Sequence, residues 1–267
     1  MLKSYFLKNI QVYTFIQSFR VALKVVLADM GSRSVDTTIW VVLSIFCNGY
    51  VLPTLGMTVQ FGSLLAVGHV VSSAVFSTYN AAMVISNDLS NEKTILFDLT
   101  LPMNSKLTIL KIGLSWSVRS LGSSMLVLPL AILILWGRID LSHFSLMKFI
   151  PALIMTNIMS GMFSVIAGSY VTNIMFIDRL WTRFIYPLWY LGGSIFPFKV
   201  IWVNFPILGK ILLLNPVIYA TEMVRASILS PDLYLLPYWL SFSVVTIASL
   251  IFYVLGFMNM KKRLGFV

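Results

Sequence analysis

Residues 37–87 contain no Asp, Glu, Lys or Arg, and this run limits the possible folds of the chain more than any other feature. A helix that spans a membrane needs about 20 mostly apolar residues, because the hydrocarbon core is about 30 Å thick. The run is long enough for two such helices, and turn-forming residues from Pro53 to Gly62 divide it. We therefore predict two membrane spans, near residues 38–56 and 62–86.

The composition of the whole chain supports a membrane protein. Of the 267 residues, 58% are hydrophobic and 10% are charged, whereas a soluble domain has about 45–50% apolar and about 25% charged residues. This excludes a soluble globule, and it also excludes a disordered chain. Further apolar runs predict four more spans, near 120–137, 149–172, 184–203 and 235–258. The prediction is an all-α membrane protein with six transmembrane helices in a single domain covering residues 1–267.

The distribution of basic residues predicts how the chain is oriented. The net charge is +10. If the N-terminus is cytoplasmic, the predicted inner segments hold 14 of the 19 Lys and Arg residues, as the positive-inside rule requires. We therefore expect a multi-pass protein of the cell (inner) membrane with both termini in the cytoplasm. A charge at the centre of a span costs about 2.5–3.5 kcal/mol, so we expect Arg119 at a membrane entry and 106–119 along the cytoplasmic surface.

The first 33 residues show a helical pattern of apolar side chains with basic side chains beside it. The apolar positions are Val12, Ile16, Phe19, Leu23, Val26, Leu27 and Met30. This pattern predicts an amphipathic helix at the cytoplasmic interface. The helix is either a simple topology anchor or a docking surface for a cytoplasmic partner.

The segment 87–107, between the second and third predicted spans, combines charge with helical apolar spacing. Its acidic residues are Asp88, Glu92 and Asp98. Its apolar residues recur at Ile95, Leu96, Leu99 and Leu101. This spacing predicts a short cytoplasmic helix that ends at Pro102 and that presses against a soluble partner.

The stretch 191–225 is apolar but is interrupted by glycine and proline. We expect short broken helices between spans five and six, with a re-entrant segment over 204–234 in the outer leaflet. Such a backbone is stable at membrane depth only where protein or water covers it. Asn215 can cap a helix that has Pro216 at its first position, and Glu222 and Arg225 lie three residues apart on one helix face.

Small residues recur at four-residue steps in two of the predicted spans. They are Ser73, Ser77 and Ala81 in span two, and Ser160, Ser164 and Gly168 in span four. Small side chains let helices approach closely. The two interpretations are packing within the chain and a seam between two chains.

Several chemistries have no motif in this sequence. Gly209-Lys210 is followed by Ile211 and lacks the upstream glycine of a phosphate-binding loop, so we expect no ATP site on this chain. Cys47 is the one cysteine, which excludes an internal disulfide. His69 lies within span two, as a buried hydrogen-bonding group or as a proton site. No acidic residue falls in the middle of a predicted span, which favours an external energy source over ion coupling.

Three features together resemble the membrane permease of type-2 ATP-binding-cassette exporters. The first is six spans behind a basic amphipathic helix. The second is Glu92-Lys93-Thr94 followed by Leu99-Thr100-Leu101-Pro102-Met103-Asn104-Ser105, although the family's glycine between Glu92 and Thr94 is missing. The third is Gly193-Ser194-Ile195-Phe196-Pro197 followed by the stretch from Asn215-Pro216 through Tyr219 and Glu222 to Arg225. This block is similar to the family's Gly-x-x-Phe-Pro and Asn-Pro-x-x-Tyr-x-x-Glu-x-x-Arg patterns.

The resemblance implies that two permease chains, identical or closely homologous, surround a pathway above two separate ATP-binding-cassette ATPase subunits. ATP and Mg would bind to those subunits, and this chain would hold no catalytic, cofactor or metal site. Membrane lipid is an expected partner and nucleic acid is not. The implied ATPase-coupling residues are Asp88, Glu92, Lys93, Thr94, Leu99, Leu101 and Pro102. The implied outer gate consists of Gly193, Phe196, Pro197, Asn215, Pro216, Tyr219, Glu222 and Arg225.

The expected cargo is an amphipathic molecule such as a drug or a lipid, moved outward from the cytoplasm or the inner leaflet. A lipid-linked polysaccharide is the alternative cargo. The alternative of another class is an intramembrane lipid-modifying enzyme, which would need ionisable groups converging at one depth.

Overall fold

A computed structural model describes residues 2–56, 59–171 and 174–265, and none of these residues lies in a strand. The α-helices used below are α1 (Leu2–Phe46), α2 (Val59–Asn87), α3 (Thr94–Thr100), α4 (Ser105–Ile134), α5 (Leu146–Tyr170), α6 (Ile177–Leu180), α7 (Tyr186–Tyr190), α8 (Phe198–Asn204), α9 (Pro206–Leu212), α10 (Pro216–Ile228) and α11 (Tyr238–Leu264). Turns of π-helix extend α1 at Cys47–Val51, follow α2 at Asp88–Glu92 and join α6 to α7 at Trp181–Ile185.

Six helices among the described residues are long and apolar enough to cross a membrane, which indicates a multi-pass membrane protein. They are Asn9–Ser32, Ser34–Thr54, Gly62–Glu92, Ser105–Ile134, Leu146–Tyr170 and Tyr238–Leu264, of which the first two are consecutive stretches along α1 and the turns that extend it. A further pair, α9 and α10, passes the same test together but bends by 96° between its halves. The number agrees with the predicted six spans, but one of the predicted spans is replaced by a different segment.

The predicted fifth span, 184–203, does not form one continuous helix. The helical part ends at Tyr190, a turn follows over 191–197, and α8 begins at Phe198. Gly193 in this turn has φ +75°, a left-handed conformation that ends a helix. The predicted fifth span is therefore not among the six helices that are long and apolar enough to cross a membrane, whereas Asn9–Ser32 is.

The N-terminal region does not form a separate helix over 1–33. The structure has one helix, α1, that continues without a break through residue 33 to Phe46. No proline interrupts it, and the Ser34 hydroxyl donates a hydrogen bond to the Met30 carbonyl across the expected boundary. A straight helix of this length extends about 67 Å, which exceeds the thickness of the hydrocarbon core, so only part of α1 can cross it.

The predicted surface segment 106–119 is also part of a longer helix, α4, which runs without a break from Ser105 to Ile134. Its two internal cations are paired rather than free. Lys111 is buried, with its Nζ 2.5 Å from Asp98 Oδ2. Arg119 Nη2 lies 3.5 Å from Asp29 Oδ2 on α1. Ion pairing therefore permits a continuous helix where the sequence suggested a bend at the membrane surface.

Close packing of α2 against α5 forms the centre of the bundle. Ser160 Oγ lies 2.9 Å from Thr78 Oγ1 and also bonds to the Ala74 carbonyl oxygen. Gly168 lies against Ile85, where a Cβ atom would have no room. The small residues at four-residue steps thus serve packing within the chain, and the other interpretation, a seam between two chains, stays a prediction.

Hydrogen bonds between helix ends define two opposite ends of the bundle. At one end, Ser86 Oγ bonds to the Val171 carbonyl and Tyr253 Oη bonds to the Lys106 carbonyl. We call this the α3 end, because α3 follows α2 there. At the other end, Tyr50 Oη bonds to the Ile134 carbonyl. This is the α10 end, which also carries the turn 191–197.

Candidate functional site

The first candidate site surrounds α10, whose N-terminus is fixed by Asn215. The Asn215 side-chain oxygen accepts a hydrogen bond from Val217 N at 3.0 Å, and Pro216 occupies the first helical turn. This is the capping arrangement that the sequence predicts, because Asn satisfies a free N–H and Pro has none to satisfy. Asn215 Nδ2 also donates to the Leu188 carbonyl at 2.7 Å, which ties α10 to α7.

Glu222 and Arg225 form an ion pair that is sealed from the surroundings. Arg225 Nη1 lies 3.1 Å from Glu222 Oε1, and both side chains are 0% exposed. Arg225 Nη2 donates to the carbonyl oxygens of Gly193, at 2.5 Å, and Phe196, at 3.2 Å. Glu222 Oε2 accepts from the backbone N–H groups of residues 235 and 236, at 2.6 and 3.2 Å. We call these contacts the Glu222–Arg225 network.

The network joins three segments that are far apart in the sequence: the turn 191–197, helix α10 and the backbone just before α11. Thr221 adds a hydrogen bond from its hydroxyl to the Gly192 carbonyl at 2.9 Å. A buried charge is costly unless it is paired and hydrogen-bonded, and here each charged group has both kinds of partner. The arrangement can therefore hold the turn and α10 together as one rigid unit.

The structure brings most of the predicted outer-gate residues together, but not all of them. Gly193, Phe196, Glu222 and Arg225 share the network, and Asn215 and Pro216 lie at the start of its helix. Pro197, the last residue of the turn, is the residue that precedes α8. Tyr219 is partly buried and packs against the main hydrophobic core instead.

The second candidate site is the segment between α2 and α4, where Asp88 has a structural role that the sequence did not reveal. Its carboxylate accepts hydrogen bonds from Thr94 N at 2.9 Å and Ile95 N at 2.8 Å. These are free N–H groups at the start of α3, so Asp88 caps this helix. Glu92 Oε1 accepts from Asn87 Nδ2 at 2.8 Å, and Glu92 is exposed.

Helix α3 turns Ile95 and Leu99 toward the bundle and leaves Phe97 on its outer side. Ile95 is buried and Leu99 is partly buried in one cluster with residues of α2 and α4. Leu101 is half-buried, and Pro102 is exposed just beyond the helix. Phe97, two residues after Ile95 and therefore on the opposite side of α3, is 66% exposed. The helical spacing that marked Ile95 and Leu99 could have revealed Phe97 as the outward residue.

A polar cleft, which the sequence did not predict, opens between α1, α2 and α4. Its volume is about 280 Å³. Among its lining residues are Asp36, Trp40, Ser77, Asn80, Trp116 and Arg119. Ser73 and Phe76, near the middle of α2, also line it. No single stretch of sequence shows this cleft, because its residues come from three helices that are separate along the chain.

A row of aromatic rings continues from the cleft toward α7. Trp40 packs edge-on against Phe76, with ring centroids 5.3 Å apart. Phe76 in turn contacts Trp181 and Trp189, at 5.4 and 4.8 Å, and Trp189 adjoins Tyr186 at 5.5 Å. We call this set the aromatic row. Its indole and phenol groups combine flat apolar faces with polar edges.

His69 lies at the buried end of the same region. Its Nε2 is 3.0 Å from Asn48 Nδ2, and its ring packs edge-on against Trp40 at 5.0 Å. These contacts favour a buried hydrogen-bonding group. Within residues 2–56, 59–171 and 174–265, no group of three His, Cys, Asp or Glu residues could hold a metal ion.

Comparison of the sequence with protein-family models gives no match, and comparison with curated proteins gives none either.

Proposed function

We propose that this chain is the membrane-spanning permease subunit of an ATP-driven exporter and that a separate ATP-binding-cassette ATPase supplies the energy. The observation that carries the proposal is the Glu222–Arg225 network. The residues of the Gly-x-x-Phe-Pro and Asn-Pro-x-x-Tyr-x-x-Glu-x-x-Arg patterns are separated in sequence, yet most of them contact one another in a buried unit. A shared structural task for these residues supports the resemblance that the patterns suggest.

The α3 end supplies the proposed docking surface for the ATPase. The exposed residues there are Glu92, Lys93, Thr94 and Phe97. On the opposite, buried side, Asp88 and Lys111 hold α3 against the bundle. A partner that pushes on the exposed side of α3 would therefore move α4 with it, through the Asp98–Lys111 pair. At the opposite end, the Glu222–Arg225 network would move as one body and shape the outer gate.

The polar cleft supports pairing of two such chains. Polar and charged groups at membrane depth normally face protein or a water-filled cavity rather than lipid. Asp36, Asn80 and Arg119 line a cleft that is open to the outside of this chain. In the proposed assembly a second permease chain covers the cleft, and the pathway for an amphipathic drug or lipid runs between the two chains.

A lipid-linked polysaccharide is a second candidate cargo, and the aromatic row is the observation that favours it. Sugar rings present C–H faces that stack on flat aromatic rings, and their hydroxyl groups bond to polar edges. The row offers both kinds of surface beside the polar cleft.

Coexpression with an ATP-binding-cassette ATPase subunit tests the proposal, and a gene for such a subunit beside this one identifies which subunit to use. We expect the ATPase to copurify with the intact chain in detergent. Phe97→Ala together with Glu92→Ala should reduce the recovered ATPase severalfold, because both changes remove exposed groups at the α3 end, one on α3 and one in the π turn before it, and leave the buried side of α3 intact. Asp140→Ala is the matched control, since Asp140 is an exposed acidic residue at the α10 end.

Two results would contradict the proposal. One is transport of cargo by the purified chain in vesicles without any ATPase. The other is equal loss of the ATPase from the Asp140→Ala control and from the α3 double variant.

A further inference from the structure

A cavity of about 640 Å³ lies beside the C-terminal half of α5, at the α3 end of the bundle. Its walls are apolar and include Phe163, Ile166, Ala167 and Leu180. Two cations, Arg179 and Arg183, also line it, and both are exposed. The cavity therefore combines a hydrocarbon-like interior with a strongly basic border.

The two arginines are available for an anion. They lie four residues apart in the helical segment from α6 into the following π turn, so they point to the same side. None of the ion pairs among the described residues involves either of them. The neighbouring carboxylate, Asp178, accepts a hydrogen bond from Tyr79 of α2 at 3.0 Å. Arg179 also rests on the Phe176 ring, 4.3 Å from its centroid.

The end of α5 beside this cavity would normally repel an anion, because the free carbonyl groups at a helix C-terminus carry partial negative charge. Here those carbonyls are occupied. Arg263 Nη1 donates to the carbonyl oxygens of Gly168 and Ser169, both at 3.1 Å, and of Val171 at 2.7 Å. A third cation thus neutralises the helix end that borders the cavity.

We propose that this cavity binds an anionic phospholipid, with the phosphate between Arg179 and Arg183 and an acyl chain along the apolar walls. Guanidinium groups bind phosphate through paired hydrogen bonds, and basic pockets between membrane helices are sites for anionic headgroups. A free phosphate could use only the two arginines and would leave the apolar walls uncovered. This site does not depend on the exporter proposal, because its argument uses neither the α3 surface nor the Glu222–Arg225 network.

Native mass spectrometry of the purified chain, titrated with phosphatidylglycerol or with phosphatidylcholine of the same acyl chains, tests the site. We expect tighter binding of phosphatidylglycerol. The double variant R179Q/R183Q should weaken that binding on the order of tenfold and weaken phosphatidylcholine binding less, because the choline ammonium already offsets the charge of the phosphate. The matched control is K261Q/K262Q, which removes two exposed cations at the same end but outside the cavity.

The control and a soluble competitor separate this site from general surface charge and from a bare phosphate site. We expect K261Q/K262Q to keep the wild-type affinity and glycerol phosphate to leave the bound lipid in place. Equal binding of both lipids by the wild-type chain would overturn the proposal. So would an equal loss in K261Q/K262Q, or displacement of the lipid by glycerol phosphate. An unchanged thermal unfolding midpoint for R179Q/R183Q, expected because both side chains are exposed, assigns any loss of lipid to the site.

Discussion

At the scale of single residues, Lys93 is the most informative position. It is the one non-glycine residue with positive φ among those the structure describes, at +61°. Its N–H donates to the Asp88 carbonyl at 2.8 Å, and its own carbonyl accepts from Phe97 N at 3.1 Å. The left-handed turn thus ends the π turn and starts α3. A positive φ is the conformation that glycine adopts without steric cost.

Lys93→Gly should stabilise the chain by about 0.5–1 kcal/mol, because glycine adopts this conformation without the steric cost that a Cβ atom imposes. The measurement is the thermal unfolding midpoint of the purified protein in detergent. Glu92→Gly is the matched control, since Glu92 is helical, and it should lower the midpoint. A lower midpoint for Lys93→Gly would show that the left-handed turn is not formed in the protein.

At the scale of elements, the Glu222–Arg225 network holds helix α10, the turn 191–197 and the backbone before α11. Removing one member of a buried ion pair leaves the other charged and unpaired, which costs about 3–5 kcal/mol. Arg225 also satisfies two carbonyl groups of the turn. The stability of these three elements should therefore depend on one side chain.

Arg225→Met should lower the unfolding midpoint sharply, and Glu222→Gln added to it should restore part of the loss by removing the unpaired charge. Lys210→Met is the matched control: Lys210 is an exposed cation on the neighbouring helix α9, and its loss should change the midpoint little. Hydrogen exchange of residues 191–197 gives a local measurement, since Arg225→Met should release this turn first. A midpoint for Arg225→Met equal to that of the control would contradict the role of the network.

The same elements show which features of the fold can be predicted from local sequence patterns. Asn215-Pro216 predicts the start of α10 correctly because capping is a local interaction. The sequence predicts broken helices over 191–225 but also a fifth span over 184–203. That span is predicted because the stretch is apolar enough and only Gly193 and its neighbours interrupt it. Helix α1 continues through residue 33, where the charges of the sequence predict the end of an interfacial helix, because no residue there ends a helix; the two apolar stretches on either side, Asn9–Ser32 and Ser34–Thr54, are each long enough for a span.

The contacts that assemble the sites could not be predicted from local patterns. The pairing of Lys111 with Asp98 and of Arg119 with Asp29 joins different helices, and it explains why α4 continues where charges suggested a boundary. The polar cleft likewise needs three helices in contact. Sequence spacing identified Glu222 and Arg225 as neighbours on one face, but not their partners in the turn 191–197.

At the scale of the whole molecule, the two ends of the bundle differ in what they present. The α3 end carries exposed Glu92 in the π turn before α3 and exposed Phe97 on α3, a helix that is fixed to α4. The α10 end carries the buried Glu222–Arg225 network. In the proposed exporter the first end receives force from the ATPase and the second shapes the exit. The account therefore requires that the ATPase meets the α3 end.

Site-directed cross-linking tests this requirement most directly. In a Cys47→Ser background, which removes the one native thiol, Thr94→Cys and Asp140→Cys place an exposed thiol at the α3 end and at the α10 end. After coexpression with the ATPase subunit, labelling with benzophenone maleimide and irradiation, which links the labelled cysteine to nearby C–H bonds, the account predicts a chain–ATPase adduct from Thr94→Cys and none from Asp140→Cys. An adduct from Asp140→Cys alone, or no adduct from Thr94→Cys in a complex that transports its cargo, would contradict it.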